Sequence, residues 1–439
     1  MPPPPFGARS PFMTDDFVQD GAVDPRAALI EPQALPRVQA FEGLGFGLFV
    51  HFGLYSQLGQ GEWVWYHHQM DREKYLELFA SFDPKGFDAD ALCALAAEAG
   101  CRYICLTTRH HEGFSLYDTR GLNDYDAPHA CGRDLIAEYS AACEKHGLKK
   151  FFYHTTLDWW HPDFDGNWDA YQQYLRDSVK ILCTQYGRVD GLWFDGNWAR
   201  KDRDWQEDAL YGMIRSHQPE AIIVNNSSIG AKGAEGHPDT DAVTFEQGAP
   251  SRRNQRGAAK YRAAEMCDTM NSHWGVGAHD LSHKAPEDII RNLVACRAVG
   301  GNLLMNLGPL GDGSIPGYER EVLKLVGRWC QICPSAVYDA RPDWSLTGRG
   351  GSVLLRQGST VYHFVPQVRI KGNTHLANGE PGDGLQTIAG PLGRVSAMRW
   401  ADNGEPLSFT QDGERLVYSA TPYPYGSQLI YRIAIIETA

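Results

Sequence analysis

From Phe46 onward the chain alternates between two kinds of segment. Short apolar runs read as buried strands: Phe46 to Phe52, Tyr103 to Thr107, Lys150 to His154, Gly191 to Phe194, Ala221 to Val224, Ala242 to Phe245 and Asn302 to Leu307. Between them lie amphipathic stretches that predict helices over Asp88 to Ala99, Asp134 to Lys145, Trp168 to Gln185, Asp204 to His217 and Pro286 to Val299, the last with proline in its first turn. Repeated strand and helix units of this kind place the chain in the α/β class, as a (β/α)8-like, TIM-type barrel of parallel strands with helices outside. The seventh strand is expected near Met270 to Val276, where the apolar signal is weak and the barrel correspondingly irregular.

After about Ala340 the pattern changes. Val353-Leu-Leu-Arg, Thr360-Val-Tyr-His-Phe-Val, Val395-Ser-Ala-Met-Arg-Trp, Arg415-Leu-Val-Tyr-Ser and Gln428-Leu-Ile-Tyr-Arg-Ile-Ala-Ile alternate with period two between turn-forming residues. They predict a C-terminal antiparallel β-sandwich. Residues 1–35, rich in proline and aspartate, read as a mobile leader. The expected organisation is therefore leader 1–35, barrel 36–338 and sandwich 339–439.

Composition narrows the partners. A formal charge of −13 over 439 residues repels polyphosphate, and no stretch of about 18 apolar residues could span a membrane. Nucleic acid and membrane are not expected as partners; a homo-oligomer is compatible with the sequence. Twelve Trp and 20 Tyr supply flat faces suited to stacking on a sugar. The start, Met1-Pro-Pro-Pro-Pro-Phe6, lacks the basic and apolar regions of a secretory signal, and the ten cysteines form no frame, so a cytoplasmic location is expected. Cys330-Gln-Ile-Cys333 has redox spacing but no thioredoxin-like context and reads as two free thiols.

In a parallel barrel the C-terminal ends of the strands share one mouth, so polar residues ending the strands are candidates for chemistry. In order they are His51; His110 and His111; Tyr153 and His154, followed by Asp158-Trp159; Asp195; Asn225 and Asn226; Glu246; His273 and Trp274; and Asn306. Asp195 closes an apolar run and is followed by glycine, which leaves room for a substrate. Glycoside hydrolysis needs a second carboxyl group facing the first, about 5–5.5 Å away when configuration is retained. Glu246, beside aromatic side chains, is the best candidate for that acid; Glu62 and Glu265 are its rivals, Glu265 on a stretch read as helical. His67-His68 and His110-His111 lack metal-site spacing, and neighbours on an extended segment point to opposite sides. Hydroxyl recognition suits them better, with no metal and no cofactor expected.

These motifs resemble the α-L-fucosidases of glycoside hydrolase family 29. Phe49-Val-His51-Phe-Gly-Leu-Tyr-Ser56 and Gly61-Glu62-Trp63 are similar to the family's first-strand elements, Leu106-Thr-Thr-Arg-His110-His111-Glu-Gly-Phe114 to its double-histidine element, and Leu157-Asp158-Trp159 to its third-strand motif. Asp190-Gly-Leu-Trp-Phe-Asp195-Gly196 is similar to its nucleophile motif, and Gly300-Gly-Asn-Leu-Leu-Met-Asn-Leu-Gly-Pro309 to its last barrel strand. The resemblance covers roughly residues 40–335 and implies retaining hydrolysis of terminal α-L-fucosides, with Asp195 as nucleophile and Glu246 as acid/base. It further implies that His51, Glu62, Trp63, His110, His111 and Tyr153 hold the sugar; His154, where the family more commonly has serine, and the aromatic Trp193 and Trp274 are expected to complete the pocket. One departure is Asn225-Asn226-Ser227, where family members often carry Asn-Asp-Arg; Arg252 or Arg253 could supply the missing cation. A fucose-binding protein without catalysis, or a metal-dependent barrel hydrolase, are the alternative readings.

Overall fold

In the computed structural model, which describes residues 29–226, 231–371 and 384–439, eight parallel strands close into a barrel in sequence order. They are β1 (Phe46–Val50), β2 (Tyr103–Arg109), β3 (Lys149–Thr155), β4 (Gly191–Asp195), β5 (Ile222–Asn225), β6 (Ala242–Glu246), β7 (Ala263–Asp268) and β8 (Asn302–Leu307). Closure comes from pairing of β8 with β1, Leu48 opposite Met305. Residues 1–28 of the expected leader lie outside the described residues.

Side-chain alternation along each strand sorts the core into two layers. Leu48, Ile104, Phe152, Leu192, Ile223, Val243 and Met266 face outward and pack with the helices, such as Leu135–His146 and Trp168–Gln185. Phe49, Tyr103, Phe151, Tyr153, Trp193 and Cys267 face inward and fill the barrel. A Cβ at Gly191 would stand 2.1 Å from the Phe151 ring, so the aromatic filling requires glycine there. The floor is stopped by the helix Pro36–Glu42, whose Phe41 ring meets Tyr103 and Phe151 at 5.7 Å.

The expected seventh strand is displaced. It runs over Ala263–Asp268, and Met270 to Val276 is a loop. Small Ala263, charged Glu265 and Cys267 form the inward face of β7, because Tyr103 and Trp193 already occupy the space beside them. That composition does not look like a buried strand. Glu265 is accordingly on a strand rather than a helix, fully buried, with Oε2 accepting from Tyr103 at 2.6 Å and Oε1 from Trp193 at 2.8 Å. Burial pushes its carboxyl up to about 7.

The C-terminal region is a sandwich of two antiparallel sheets. Its strands are β9 (Arg341–Pro342), β10 (Thr347–Gly348), β11 (Val353–Gln357), β12 (Thr360–Pro366), β13 (Leu385–Ala389), β14 (Val395–Trp400), β15 (Phe409–Asp412), β16 (Arg415–Ser419) and β17 (Tyr431–Thr438). One sheet has the order β14-β17-β12-β11-β9 and the other β10-β13-β16-β15. Leu355, Tyr362, Phe364 and Ile433 join the core of the barrel helices, next to Trp329, while Trp400, Ile388 and Leu416 fill the space between sheets. Cys330 and Cys333 are buried free thiols at the end of the helix Gly317–Cys330. No helix among the described residues is long and apolar enough to cross a membrane.

Candidate active site

The strand ends converge on a small cavity of about 60 Å³. Phe49 and His51 come from β1 and its end, Tyr153 from β3, Trp193 and Asp195 from β4, and Glu246 from β6. Trp63, His110, Trp198, Asn226 and Trp274 reach it from the segments that follow strands.

Asp195 is the best-supplied acceptor in the cavity. Oδ2 accepts from the Tyr153 hydroxyl at 3.2 Å and lies 3.5 Å from His111 Nε2; Oδ1 accepts from the Trp198 indole at 2.9 Å and from Asn226 at 3.4 Å. The chain can double back to bring Trp198 there because Gly196 has φ +125°, and a Cβ on it would stand 2.6 Å from the Leu157 nitrogen. Burial works to raise the Asp195 carboxyl, but the hydrogen bonds and charge of His111, with Trp198 and Tyr153, outweigh it and hold the group below the usual carboxylate range.

Glu246 is pushed the other way. Burial is the largest cause and the neighbouring Asp195 charge the next; together they exceed the lowering by Asn226 and Trp274. Asn226 Nδ2 touches both acids, 2.7 Å from Glu246 Oε2 and 3.4 Å from Asp195 Oδ1. Those two oxygens can be no further apart than the two lengths laid end to end. That is less than the ~6.5 Å at which the inverting range begins. Two carboxyls with opposed proton affinities face one cavity.

His51 and His110 are neutral hydroxyl readers in form. His51 Nδ1 donates to Asn306 Oδ1 at 2.7 Å, which leaves Nε2 as an acceptor, and burial holds its pKa down to about 3. His110 is likewise driven well below the ordinary range by burial. The two adjacent histidines were expected to point apart. Their rings lie 4.2 Å from each other, because β2 ends at Arg109 and the chain turns, Gly113 donating to the His110 carbonyl. His111 supports Asp195 from behind.

Several expected sugar ligands sit elsewhere. His154 faces away from the cavity, since it follows the inward Tyr153 on β3. Its Nδ1 donates to Thr108 Oγ1 at 3.0 Å, and Nε2 accepts from Arg109 and Ser178, both at 3.0 Å. It is a fully buried acceptor for a buried arginine, not a pocket residue. Glu62 lines the adjoining cleft with His67, His68 and His273 rather than the cavity, and its Oε2 accepts from the Trp274 and Gly275 backbone at 3.0 and 2.8 Å. Its carboxylate thereby fixes the Trp274 loop. His273 is tied to Asp280.

Arg252 stacks on Trp344 at 4.1 Å and Arg253 pairs with Glu235 at 2.7 Å; neither lines the cavity. Ser227 lies outside the described residues. Among the described residues, one group of His and acidic side chains has metal-capable spacing, Asp208 with His237 and Asp239, and it includes neither histidine pair. Trp198 and Asn226 were not assigned a role from the sequence. Trp198 stands three residues after Asp195, a spacing that only the turn at Gly196 converts into contact.

Comparison with known proteins agrees with this geometry. The sequence model of the alpha-L-fucosidase family matches residues 23–333. The tissue alpha-L-fucosidase of Mus musculus is 30% identical over 385 residues, 78% of this chain and 81% of that protein. Alpha-L-fucosidase isoenzyme 1 from Paenibacillus thiaminolyticus has the same fold, with a TM-score of 0.77 and 29% identity over 92% of this chain and 99% of that one. A Bacteroides thetaiotaomicron alpha-L-fucosidase, solved as a trapped covalent intermediate with 2-fluoro-fucosyl fluoride, shares the fold at a TM-score of 0.76 and 22% identity, over 93% of this chain and 97% of that one. Because the family's own pattern spans the barrel and the strand ends that carry the two carboxyls, the chain belongs to the alpha-L-fucosidase family.

Proposed function

We propose that this protein hydrolyses terminal α-L-fucosides with retention of configuration, through a covalent fucosyl-enzyme intermediate on Asp195. The observation that carries the reading is the opposed pair joined by Asn226 in one cavity: Asp195 biased toward its ionised form by donors, Glu246 toward its protonated form by burial and by the Asp195 charge. A double displacement needs a nucleophile that is charged and an acid that is not, in one cavity at the same pH. The trapped intermediate in the Bacteroides relative supports the same chemistry.

In the first step Asp195 attacks the anomeric carbon while Glu246 gives its proton to the departing oxygen. In the second, Glu246 takes a proton from water, which displaces Asp195 and returns the electron pair to it. The hydroxyls of one deoxy-hexose are read by the acceptor face of His51, by His110 and by the Trp63 indole. Its apolar face and methyl group rest on the Phe49, Trp193 and Trp274 rings that wall the cavity. A sugar-binding protein would gain nothing from carboxyls with opposed proton affinities, which favours catalysis over the binding-only alternative.

The direct test is turnover of 4-nitrophenyl α-L-fucoside. Wild type releases 4-nitrophenol, and Asp195→Ala loses activity by a factor on the order of 10³ or more. An Asp195→Ala variant of near-normal activity would end the proposal.

A further inference from the structure

Asn226, one residue past the end of β5, contacts both carboxyls through a single nitrogen. Its Oδ1 accepts the Thr244 hydroxyl at 2.7 Å. The reverse orientation of the amide would aim a carbonyl oxygen at the Asp195 carboxylate, so electrostatics favours the nitrogen on that side, and the Thr244 hydroxyl holds the other end. Asn226 is itself only 4% exposed. Neither the carboxyls nor the amide can therefore move alone.

We propose that Asn226 is a positioning residue for the second half of the double displacement, its amide keeping Glu246 in the ionised form that activates water. The proposal rests on the roles assigned above to Asp195 and Glu246. In the first half the bond from Asp195 to the anomeric carbon forms, the bond to the leaving oxygen breaks, and the Glu246 proton passes to that oxygen. In the second half water oxygen bonds to the same carbon, its proton passes to Glu246, and the Asp195 ester bond breaks with its electron pair returning to Asp195.

An N–H donated to a carboxylate favours the charged form. Asn226 therefore works against Glu246 as an acid and for it as a base. What reconciles the two is the Asp195 charge, which keeps the proton on Glu246 at rest and disappears when Asp195 is esterified. From then on the amide is opposed mainly by burial. The other titratable groups that face Glu246 are Glu62 from the loop after β1 and Cys267 on β7, with His111 behind Asp195. Of the groups facing Glu246, Asp195 is the one that the covalent step itself neutralises.

The test is steady-state and burst kinetics of wild type, Asn226→Ala, Thr244→Val and Glu246→Gln on 4-nitrophenyl α-L-fucoside, with and without sodium azide. This leaving group departs without help from an acid, so a loss confined to the second step lowers kcat and makes that step limiting, whereas kcat/KM stops at formation of the intermediate. For Asn226→Ala we expect kcat to fall on the order of 10-fold, kcat/KM to change by less than about 3-fold, and KM to fall with it. A burst of 4-nitrophenol should appear, and azide, which needs no base, should restore kcat. Thr244→Val, which keeps shape and loses only the anchor, should move the same quantities in the same direction by less. If kcat and kcat/KM fall together in both variants, with no burst and no azide response, while Glu246→Gln does respond to azide, the Asn226 proposal is overturned and the assignment of Glu246 stands. If Glu246→Gln shows no azide response either, the Glu246 assignment fails and the proposal falls with it.

Discussion

The Trp198 indole donates to Asp195 Oδ1 at 2.9 Å, three residues along the same chain. Indole is a donor only, so this contact favours the ionised carboxyl, the stronger acceptor. Tyr153, whose hydroxyl is kept protonated by burial and the Asp195 charge, is a second donor of the same kind. Groups of this kind around the nucleophile bias it toward its ionised form. That charge in turn helps raise the proton affinity of the neighbouring Glu246.

A bell-shaped pH dependence follows. On a fucosyl disaccharide, kcat/KM requires Asp195 ionised and Glu246 protonated. It rises as pH climbs through the lowered Asp195 pKa and falls as pH climbs through the raised Glu246 pKa. The acidic limb is expected below, and the alkaline limb above, the ordinary carboxylate range. Glu246→Gln should remove the alkaline limb. An alkaline limb unchanged in that variant would assign it to another group.

Glu246 should also show its role in the choice of leaving group. Protonation of the departing oxygen matters little for 4-nitrophenolate and greatly for a sugar alcohol. Glu246→Gln is therefore expected to lower kcat/KM by less than about 10-fold on 4-nitrophenyl α-L-fucoside and by about 10²–10⁴-fold on a fucosyl disaccharide. Equal losses on both would transfer the acid role elsewhere, and parallel measurements on Glu62 and Glu265 variants would locate it.

His154 and His51 make a contrasting pair. His154→Leu leaves the buried Arg109 and Ser178 without their acceptor and should lower unfolding free energy by about 2–3 kcal/mol in urea. Its KM for the aryl fucoside should stay within about 2-fold. His51→Ala should do the opposite, weakening kcat/KM by about 10-fold or more with a smaller loss of stability. A stable His154→Leu protein with a strongly raised KM would return that side chain to the pocket.

Much of this was legible in the order of residues, for reasons that also explain what was not. Gly191–Asp195 is apolar up to its terminal carboxylate, and Asn302–Leu307 is apolar apart from Asn302 and Asn306, so both strand and site residue stand out. β7 was hidden because a strand facing the interior of a barrel can be built from Ala263, Glu265 and Cys267 when large rings fill the space from opposite strands. Leu385–Ala389, between β10 and β16, and the edge strand Phe409–Asp412 were missed because half-exposed strands need little apolar content. The distinction between Tyr153 and His154 was present in the period of two: Phe151 and Tyr153 share the inner face, which sends His154 outward. The convergence of His110 and His111, the reach of Trp198 and the retreat of Glu62 behind the Trp274 loop depend on turns after the strands, where no periodicity operates.

The most direct measurement is covalent trapping of the wild-type enzyme with 2-deoxy-2-fluoro-α-L-fucosyl fluoride, followed by tryptic digestion and mass spectrometry. Cleavage after Arg188 and Arg200 releases residues 189–200, which hold two carboxyl side chains, Asp190 and Asp195. The account predicts a single fluorofucosyl adduct on this peptide, localised to Asp195 by fragmentation. An adduct on any other residue, or continued turnover with no adduct at all, would contradict it.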